Sequence, residues 1–184
     1  MVLEIVKYGD PVLRRKGTPV VSVNDELRQL AADMLETMEA ANGVGLAAQQ
    51  VGVAIQLTVI DVRDVEDRPS TMEIHGEPVD LAEHMPLILL NPELEFGEEK
   101  ELGTEGCLSF PEINADIARA YEVKARATTL DGEPLEFTAT GLLARALQHE
   151  CDHLQGVLFI DRMNSATKTA LGGKLKRLQR EFAS

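Results

Sequence analysis

The stretch His149-Glu150-Cys151-Asp152-His153 decides the fold, because it predicts a helix around which the other elements must be arranged. Two histidines four residues apart lie on one helix face, one turn apart. Both imidazoles can then reach a single divalent metal ion, and Glu150 can lie beside the open coordination position as a general base. The pattern predicts metal-assisted hydrolysis. The alternative is an accidental match on a surface helix.

The residues around this stretch favour a buried helix. Thr140 is a candidate N-cap, and Gly156 is a natural stop after the last turn. Apolar residues recur between them at helical spacing: Leu142, Leu143, Ala146, Leu147 and Leu154. Segments typical of strands precede the helix, which is the setting that a buried metal-binding helix needs.

A third metal ligand does not follow from the helix alone. No histidine follows His153 at the spacing of known metalloproteases, and Glu181 has no supporting motif. We interpret His75 and His84 as solvated loop residues. Cys107, within Glu105–Pro111, is the better candidate because a thiolate is a strong donor. A buried structural cysteine is the alternative for this position.

Length and composition limit the class of protein. A chain of 184 residues with 44% hydrophobic residues fits one domain, residues 1–184, with a substantial core. The net charge of −13 argues against general binding to DNA or to an anionic membrane. No apolar run is long enough to span a bilayer, and no signal peptide is evident, so the expected location is the cytoplasm. Two cysteines do not make a disulfide framework.

Periodicity and turn residues predict the other elements. A first helix is expected from Asp25 to Ala41 with Asn24 as its N-cap. Residues 63–85 are acidic and predict a loop or a ragged hairpin. The predicted strands are 54–62, 87–91 ending at Pro92, 94–103, 116–130 and 134–138, the last two joined by a hairpin at Asp131-Gly132.

The C-terminal segment, about 164–184, predicts a basic amphipathic helix. From Arg162 onward six Lys and Arg residues stand against Glu181, a local charge of +5, which leaves −18 for the remainder. Its apolar residues recur at helical spacing opposite the cations. The segment is a hypothetical contact for ribosomal RNA. The alternative is a solvated helix packed on the body.

Three ordered segments together resemble the peptide deformylase family: Gly43–Gln50, Glu105–Ser109 and Gln148–His153. An opening similar to Ile5–Arg14 extends the resemblance over most of the chain. With the elements above, the resemblance implies an α+β fold. Antiparallel β-sheets would surround a central metal-binding helix, with an N-terminal helix and a C-terminal helix.

The resemblance also implies a reaction. Cys107, His149 and His153 would be the metal ligands, with water in the fourth position. The family normally uses Fe²⁺ and tolerates Zn²⁺, Ni²⁺ or Co²⁺. The substrate would be the N-formyl group on the N-terminal formyl-methionine of new polypeptides, and formate would be released.

By the same resemblance, particular residues acquire catalytic roles. Glu150 would act as the general base and then protonate the leaving amine. The Gln50 side-chain amide and the Leu108 backbone N–H would stabilise the oxyanion together with the metal. Gln49 precedes Gln50, and the register from Gly43 and Gly45 selects Gln50.

The methionine pocket is expected to involve Val44, Leu142 and Ala146, although all three can equally be core residues. Gly45 would let the substrate backbone lie close and pair as an extended strand. Asn114 departs from the family, because many relatives have arginine there, and this puts the corresponding substrate contacts in doubt.

Two residues within the helix motif have no assigned role in the chemistry. Asp152 is expected to orient a ligand or join a local network, and a solvated carboxylate is the alternative. Cys151 points away from the metal side by helix geometry and is expected to be structural.

Two competing functions remain on the sequence evidence. An endopeptidase using the same helix would cleave unformylated peptides, but the upstream segments count against it. A non-catalytic metal-stabilised module would need a fourth protein ligand.

Overall fold

The computed structural model describes residues 1–183. Three α-helices and nine strands follow one another along this part of the chain. The helices are α1 (Asp25–Ala40), α2 (Gly141–Leu154) and α3 (Ser165–Phe182). The strands are β1 (Gly45–Ala47), β2 (Leu57–Ile60), β3 (Ser70–Ile74), β4 (Glu77–Pro78), β5 (Leu87–Phe96), β6 (Lys100–Cys107), β7 (Phe110–Ala120), β8 (Glu122–Thr128) and β9 (Pro134–Thr140).

The strands form two antiparallel sheets. Seven strands pair in the order β1-β2-β5-β8-β9-β3-β4, and β6 pairs with β7 in a two-stranded sheet. Helix α2 packs against strands of both sheets, including β1, β2, β9 and β7. The α+β prediction with a central helix is therefore confirmed. One edge of β1 and one edge of β6 are unpaired with other strands of residues 1–183.

Helix α2 is stabilised by the packing of its apolar face into the hydrophobic core. Ten of its residues are buried, among them Leu143 and Leu147, which are fully inaccessible. Thr140 is the N-cap residue as predicted, but its side chain makes no cap hydrogen bond. Its hydroxyl contacts Thr71 of the neighbouring strand instead, and Ser70 Oγ accepts from the Leu143 N–H at 2.9 Å.

The predicted ends of two strands are wrong, for different reasons. Strand β5 does not stop at Pro92 but passes through it, because a bulge between Leu90 and Glu93 removes the need for the missing N–H. The expected strand 116–130 is two strands, since the chain reverses at Tyr121. The hairpin predicted at Asp131-Gly132 joins β8 to β9 as expected.

Segment 63–85 contains the ragged hairpin that was one of its two predicted forms. Strands β3 and β4 pair with each other, and β3 also pairs with β9. Periodicity could not show this second pairing, because it joins residues about 70 positions apart. The hairpin is thus an integral part of the large sheet.

The first and last helices agree with their predicted patterns. Asn24 Oδ1 accepts from the Leu27 N–H at 2.8 Å, so Asn24 caps α1 as expected. Helix α1 ends at Ala40, one residue before the predicted end. Helix α3 buries Leu175 and Leu178 against the core that contains Phe159. The last residue of the predicted segment 164–184 lies outside the described residues.

Candidate metal centre and catalytic site

The three predicted metal ligands come together. One ligand atom each from Cys107, His149 and His153 lies within 4.8 Å of the others, and Cys107 Sγ is 3.4 Å from His153 Nε2. Cys107 is the last residue of β6, while the histidines occupy successive turns of α2. A thiolate with two imidazoles is a donor set that suits a divalent transition metal and leaves a fourth position for water or substrate.

Glu105 fixes the orientation of the first histidine. Its Oε1 is 2.9 Å from His149 Nδ1, which leaves His149 Nε2 for the metal side. Arg119 Nε and Arg145 Nη1 each donate a hydrogen bond to Glu105 Oε2 at 2.8 Å. Burial alone raises the pKa of Glu105, but hydrogen bonds from Arg119 and His149 outweigh it and lower the pKa to about 2. Glu105 is therefore an anion that holds His149 in one tautomer.

Asp152 belongs to a local network and does not contact a ligand. It accepts from Arg119 Nη1 at 2.7 Å and from Arg162 Nη2 at 3.0 Å. Arg119 therefore donates to Asp152 through Nη1 and to Glu105 through Nε. Of the two roles predicted for it, the structure favours the network.

Glu150 lies in a buried and crowded position. Burial raises its pKa to about 7, and its Oε2 atom has no hydrogen-bond partner among residues 1–183. Its neighbour Gly45 leaves room for it, because a Cβ there would lie 2.9 Å from Glu150 Cγ. A carboxyl group with a pKa near neutrality can both accept and return a proton at working pH.

The two adjacent glutamines have different environments. Gln50 Oε1 accepts from the Ala47 N–H at 2.9 Å, so the Gln50 amide nitrogen is directed to Ser109 Oγ at 3.2 Å and Cys107 Sγ at 3.6 Å. Gln49 Nε2 donates to the carbonyls of Arg15 and Leu154 instead. The structure therefore places Gln50, and not Gln49, beside the metal ligands.

A cavity of about 470 Å³ opens over this group. Its walls include the predicted substrate residues and the predicted catalytic residues: Val44, Gly45, Gln50, Leu108, Leu142, Ala146 and Glu150. Leu142 and Ala146 come from the same face of α2 as His149, about two turns and one turn before it, respectively. His153 lies behind this wall and is fully buried.

Comparisons with known proteins identify the family of this chain. The family described as "Polypeptide deformylase" matches residues 2–169. The chain belongs to this family. It is 48% identical over 180 residues to a peptide deformylase of Methylacidiphilum infernorum, covering 98% of this chain and 94% of the relative. A second relative, from Opitutus terrae, is 47% identical and covers 97% of this chain and 93% of its own length.

Solved structures of the family have the same fold. The peptide deformylase of Thermotoga maritima superimposes with a TM-score of 0.76 at 38% identity, over 89% of this chain and 99% of that chain. A plant peptide deformylase gives a TM-score of 0.84 at 34% identity, over 98% and 90% of the two chains.

Membership of this family defines the reaction. Peptide deformylases are metal-dependent hydrolases that remove the N-formyl group from N-terminal formyl-methionine and release formate, and this chain is such an enzyme. Its substrates are formylated nascent peptides. The endopeptidase alternative is not supported, since the relatives named above are peptide deformylases. Within residues 1–183 no helix has both the length and the apolar character needed to cross a membrane.

Several other positions considered in the sequence lie outside the ligand group. The exposed His75 occupies the β3–β4 turn with φ of 53°, and neither it nor His84 joins the ligand group. Cys151 also lies outside that group, and burial raises the pKa of its thiol to about 12. Asn114 reaches the rim of the cavity, where its Oδ1 packs against Gly106.

Sequence reasoning did not assign a role to five residues near the cavity. Ser109 and Glu105 lie in the segment Glu105–Ser109, and that motif is a signal that could have identified both. Arg119 and Arg145, the partners of Glu105, carry no local signal. Arg68 comes from the acidic segment and also lines the cavity.

Proposed function

We propose that this enzyme holds Fe²⁺ through Cys107, His149 and His153 and uses Glu150 as its general base. The observation that carries the proposal is the meeting of three ligand atoms within 4.8 Å beside a buried carboxyl group whose pKa is about 7. A site with three protein donors supports catalysis, whereas a closed structural site needs four. When bound, the metal supplies Lewis acidity that polarises the formyl oxygen and activates water.

Glu150 moves the proton in this proposal. Its Oε2 atom, which has no partner among the described residues, accepts a proton from the attacking water. The same carboxyl group then donates that proton to the departing amine of methionine. Burial keeps its pKa close to neutrality, so both transfers are favourable at the same pH.

Gln50 and Leu108 stabilise the negative charge that develops on the formyl oxygen. The Gln50 amide is held with its N–H groups toward the metal ligands by the bond from the Ala47 N–H. The Leu108 backbone N–H lies in the turn between β6 and β7, directly after Cys107. Donors that are already in place need no reorganisation during the reaction.

The methionine side chain is bound by Val44, Leu142 and Ala146, and the substrate backbone lies along Gly45. Two strands support this arrangement. The unpaired edge of β1 at Gly45 and that of β6 before Cys107 both border the cavity, so an extended peptide can add to a sheet edge there.

The remaining features of the chain fit the same role. We propose that residues 1–184 act as one catalytic domain, because α2 packs against both sheets. We also propose that the enzyme acts in the cytoplasm.

The exposed cations of α3, opposite its buried Leu175 and Leu178, suit a contact with ribosomal RNA. Reversing the charges of Lys174 and Lys176 should then weaken co-sedimentation with ribosomes at low salt, and unchanged co-sedimentation would refute this contact.

Anaerobic purification, metal analysis and a formate assay test the main proposal. The purified protein should contain about one iron per chain and release formate from formyl-Met-Ala-Ser. Exposure to air should lower the activity, since ferrous iron and a thiolate both oxidise. Full activity in zinc-loaded protein together with air-stable activity of the iron form would argue against iron as the working metal.

A further inference from the structure

Segment 63–85 brings one charged residue to the cavity wall. The residue after Arg68 is Pro69, whose carbonyl accepts from the Leu142 N–H at 3.2 Å. Ser70 Oγ then accepts from the Leu143 N–H at 2.9 Å. The backbone next to Arg68 is therefore fixed to the first turn of α2, the turn that carries part of the methionine pocket.

The anchoring contact is close. Gly141 has φ of +69°, and a Cβ at this position would lie only 2.1 Å from the Pro69 carbonyl oxygen. From this fixed point the Arg68 side chain crosses to the other wall, where Nη1 donates to the Thr104 carbonyl at 3.0 Å. Thr104 lies on β6, three residues before Cys107.

Most N–H groups of the Arg68 guanidinium have no hydrogen-bond partner among residues 1–183. An arginine carries five N–H groups. In the described part of the chain the Arg68 guanidinium makes a single hydrogen bond and no ion pair. The other cationic residue of the cavity wall, Arg145, is buried and pairs with Glu105. Arg68 is therefore the available cation of the wall, and Glu112 on β7 is the exposed anion.

We propose that Arg68 is a specificity-determining residue that binds a carboxylate in the second or third residue of the formylated peptide. The proposal rests on the proposed function, because it needs the methionine side chain to lie against Leu142. The Pro69–Leu142 and Arg68–Thr104 bonds hold the guanidinium on the cavity wall, where we infer that the residues after methionine lie. A planar guanidinium can bind a carboxylate through two parallel hydrogen bonds, which lysine cannot reproduce.

Peptide pairs that differ only in charge test the proposal. The pairs are formyl-Met-Glu-Ala against formyl-Met-Gln-Ala and formyl-Met-Ala-Glu against formyl-Met-Ala-Gln, all as C-terminal amides. At low salt the wild-type enzyme should favour the acidic member of at least one pair in kcat/KM by about fivefold, mainly through KM, as an exposed ion pair allows. Free-acid versions of the Gln peptides show whether the terminal carboxylate is bound in the same way.

Variants locate the effect. Arg68→Gln should lower kcat/KM on the acidic peptides more than on the Gln peptides and so abolish the preference, whereas Arg68→Lys should keep part of it. The matched control is Arg63→Gln, because Arg63 is exposed in the same segment but pairs with Asp61. This control should keep the wild-type preference.

Three results would overturn the assignment. They are equal rates on both members of every pair with the wild-type enzyme, an unchanged preference in Arg68→Gln, and an equal loss on acidic and neutral peptides. Thermal unfolding of each variant shows whether such a loss reflects misfolding. Absence of formate from every peptide with iron-loaded wild type would refute the proposed function itself, and the Arg68 assignment with it.

Discussion

Glu105 shows how a single buried residue can organise a site. It is nearly inaccessible, yet it is an anion because Arg119, Arg145 and His149 surround it. Removing one member of such a buried group leaves an uncompensated charge, which is costly. The orientation of His149 therefore depends on residues outside the predicted ligand group.

Replacing Glu150 with Ala should abolish proton transfer without loss of the ligands. We expect kcat to fall by about 10²–10⁴-fold, the usual contribution of a general base. Iron content, measured anaerobically on the same sample, should be unchanged because Glu150 is not one of the three ligands. Near wild-type kcat in an iron-loaded Glu150→Ala enzyme would remove this residue from the mechanism.

The two glutamines provide a matched pair of variants. Gln50→Ala should lower kcat by about 10²-fold, because an oxyanion donor is lost. Gln49→Ala should instead lower the free energy of unfolding by about 1–2 kcal/mol, since Gln49 is buried and bonds to the Arg15 and Leu154 carbonyls. Steady-state kinetics and urea unfolding of both variants separate the two effects. A similar fall in kcat for both would contradict the assignment.

At the scale of elements, β1 and α2 approach each other through Gly45. A side chain there would meet Glu150, so the glycine is needed for packing, in addition to the proposed access by the substrate. The same two elements supply Gln50, through the turn after β1, and two of the three predicted ligands. Their relative position is therefore the main structural requirement of the site.

Helix α3 offers a stabilising substitution. Gly172 and Gly173 lie inside it, and a Cβ at either position would meet no atom within 4 Å. Gly172→Ala should raise the free energy of unfolding by about 0.5–1 kcal/mol, because alanine loses less backbone entropy in a helix. Formate release should not change. Gly45→Ala is the opposite control, expected to lower activity through the contact with Glu150. An unchanged or lower stability of Gly172→Ala would show that the helix does not behave as described.

At the scale of the whole molecule, Arg14 and Asp161 join the N-terminal segment to the chain after α2. Arg14 Nη1 is 2.6 Å from Asp161 Oδ2, and the Leu158 N–H donates to the same carboxylate. Burial alone raises the pKa of Asp161, but these hydrogen bonds outweigh it and hold the pKa below its usual value of 3.8.

The lowered pKa of Asp161 predicts how the free energy of unfolding depends on pH. Because the folded pKa is lower than the unfolded one, the contribution of Asp161 is complete above pH 3.8 and is lost as the pH falls through the folded value. Asp161→Asn should cost about 1 kcal/mol at pH 7 and progressively less in acid. Urea unfolding between pH 7 and pH 3 measures this, with the exposed Asp64→Asn as control. A difference that stays constant over the whole range would contradict the ion pair.

Local patterns were enough to locate the three helices, the hairpin at Asp131-Gly132 and the candidate ligands on α2. Helical hydrogen bonds and apolar stripes are set by residues three or four positions apart, and a two-residue turn is set by its own residues. Cys107 and Gln50 followed from the ordered segments that resemble the family. The ends of β5 and the split at Tyr121 did not follow, because a bulge and a chain reversal depend on the partner strand.

The sequence alone therefore determined which residues are candidates for the chemistry, whereas the tertiary structure decided what surrounds them. The arginines around Glu105 and the approach of Gly45 to Glu150 join residues far apart in the chain. The bond from Arg68 to Thr104 spans 36 positions. Such contacts depend on the packing of α2 between the two sheets and on the pairing of β3 with β9. Neither leaves a periodic signal, because each is set by long-range complementarity and not by the neighbouring residues.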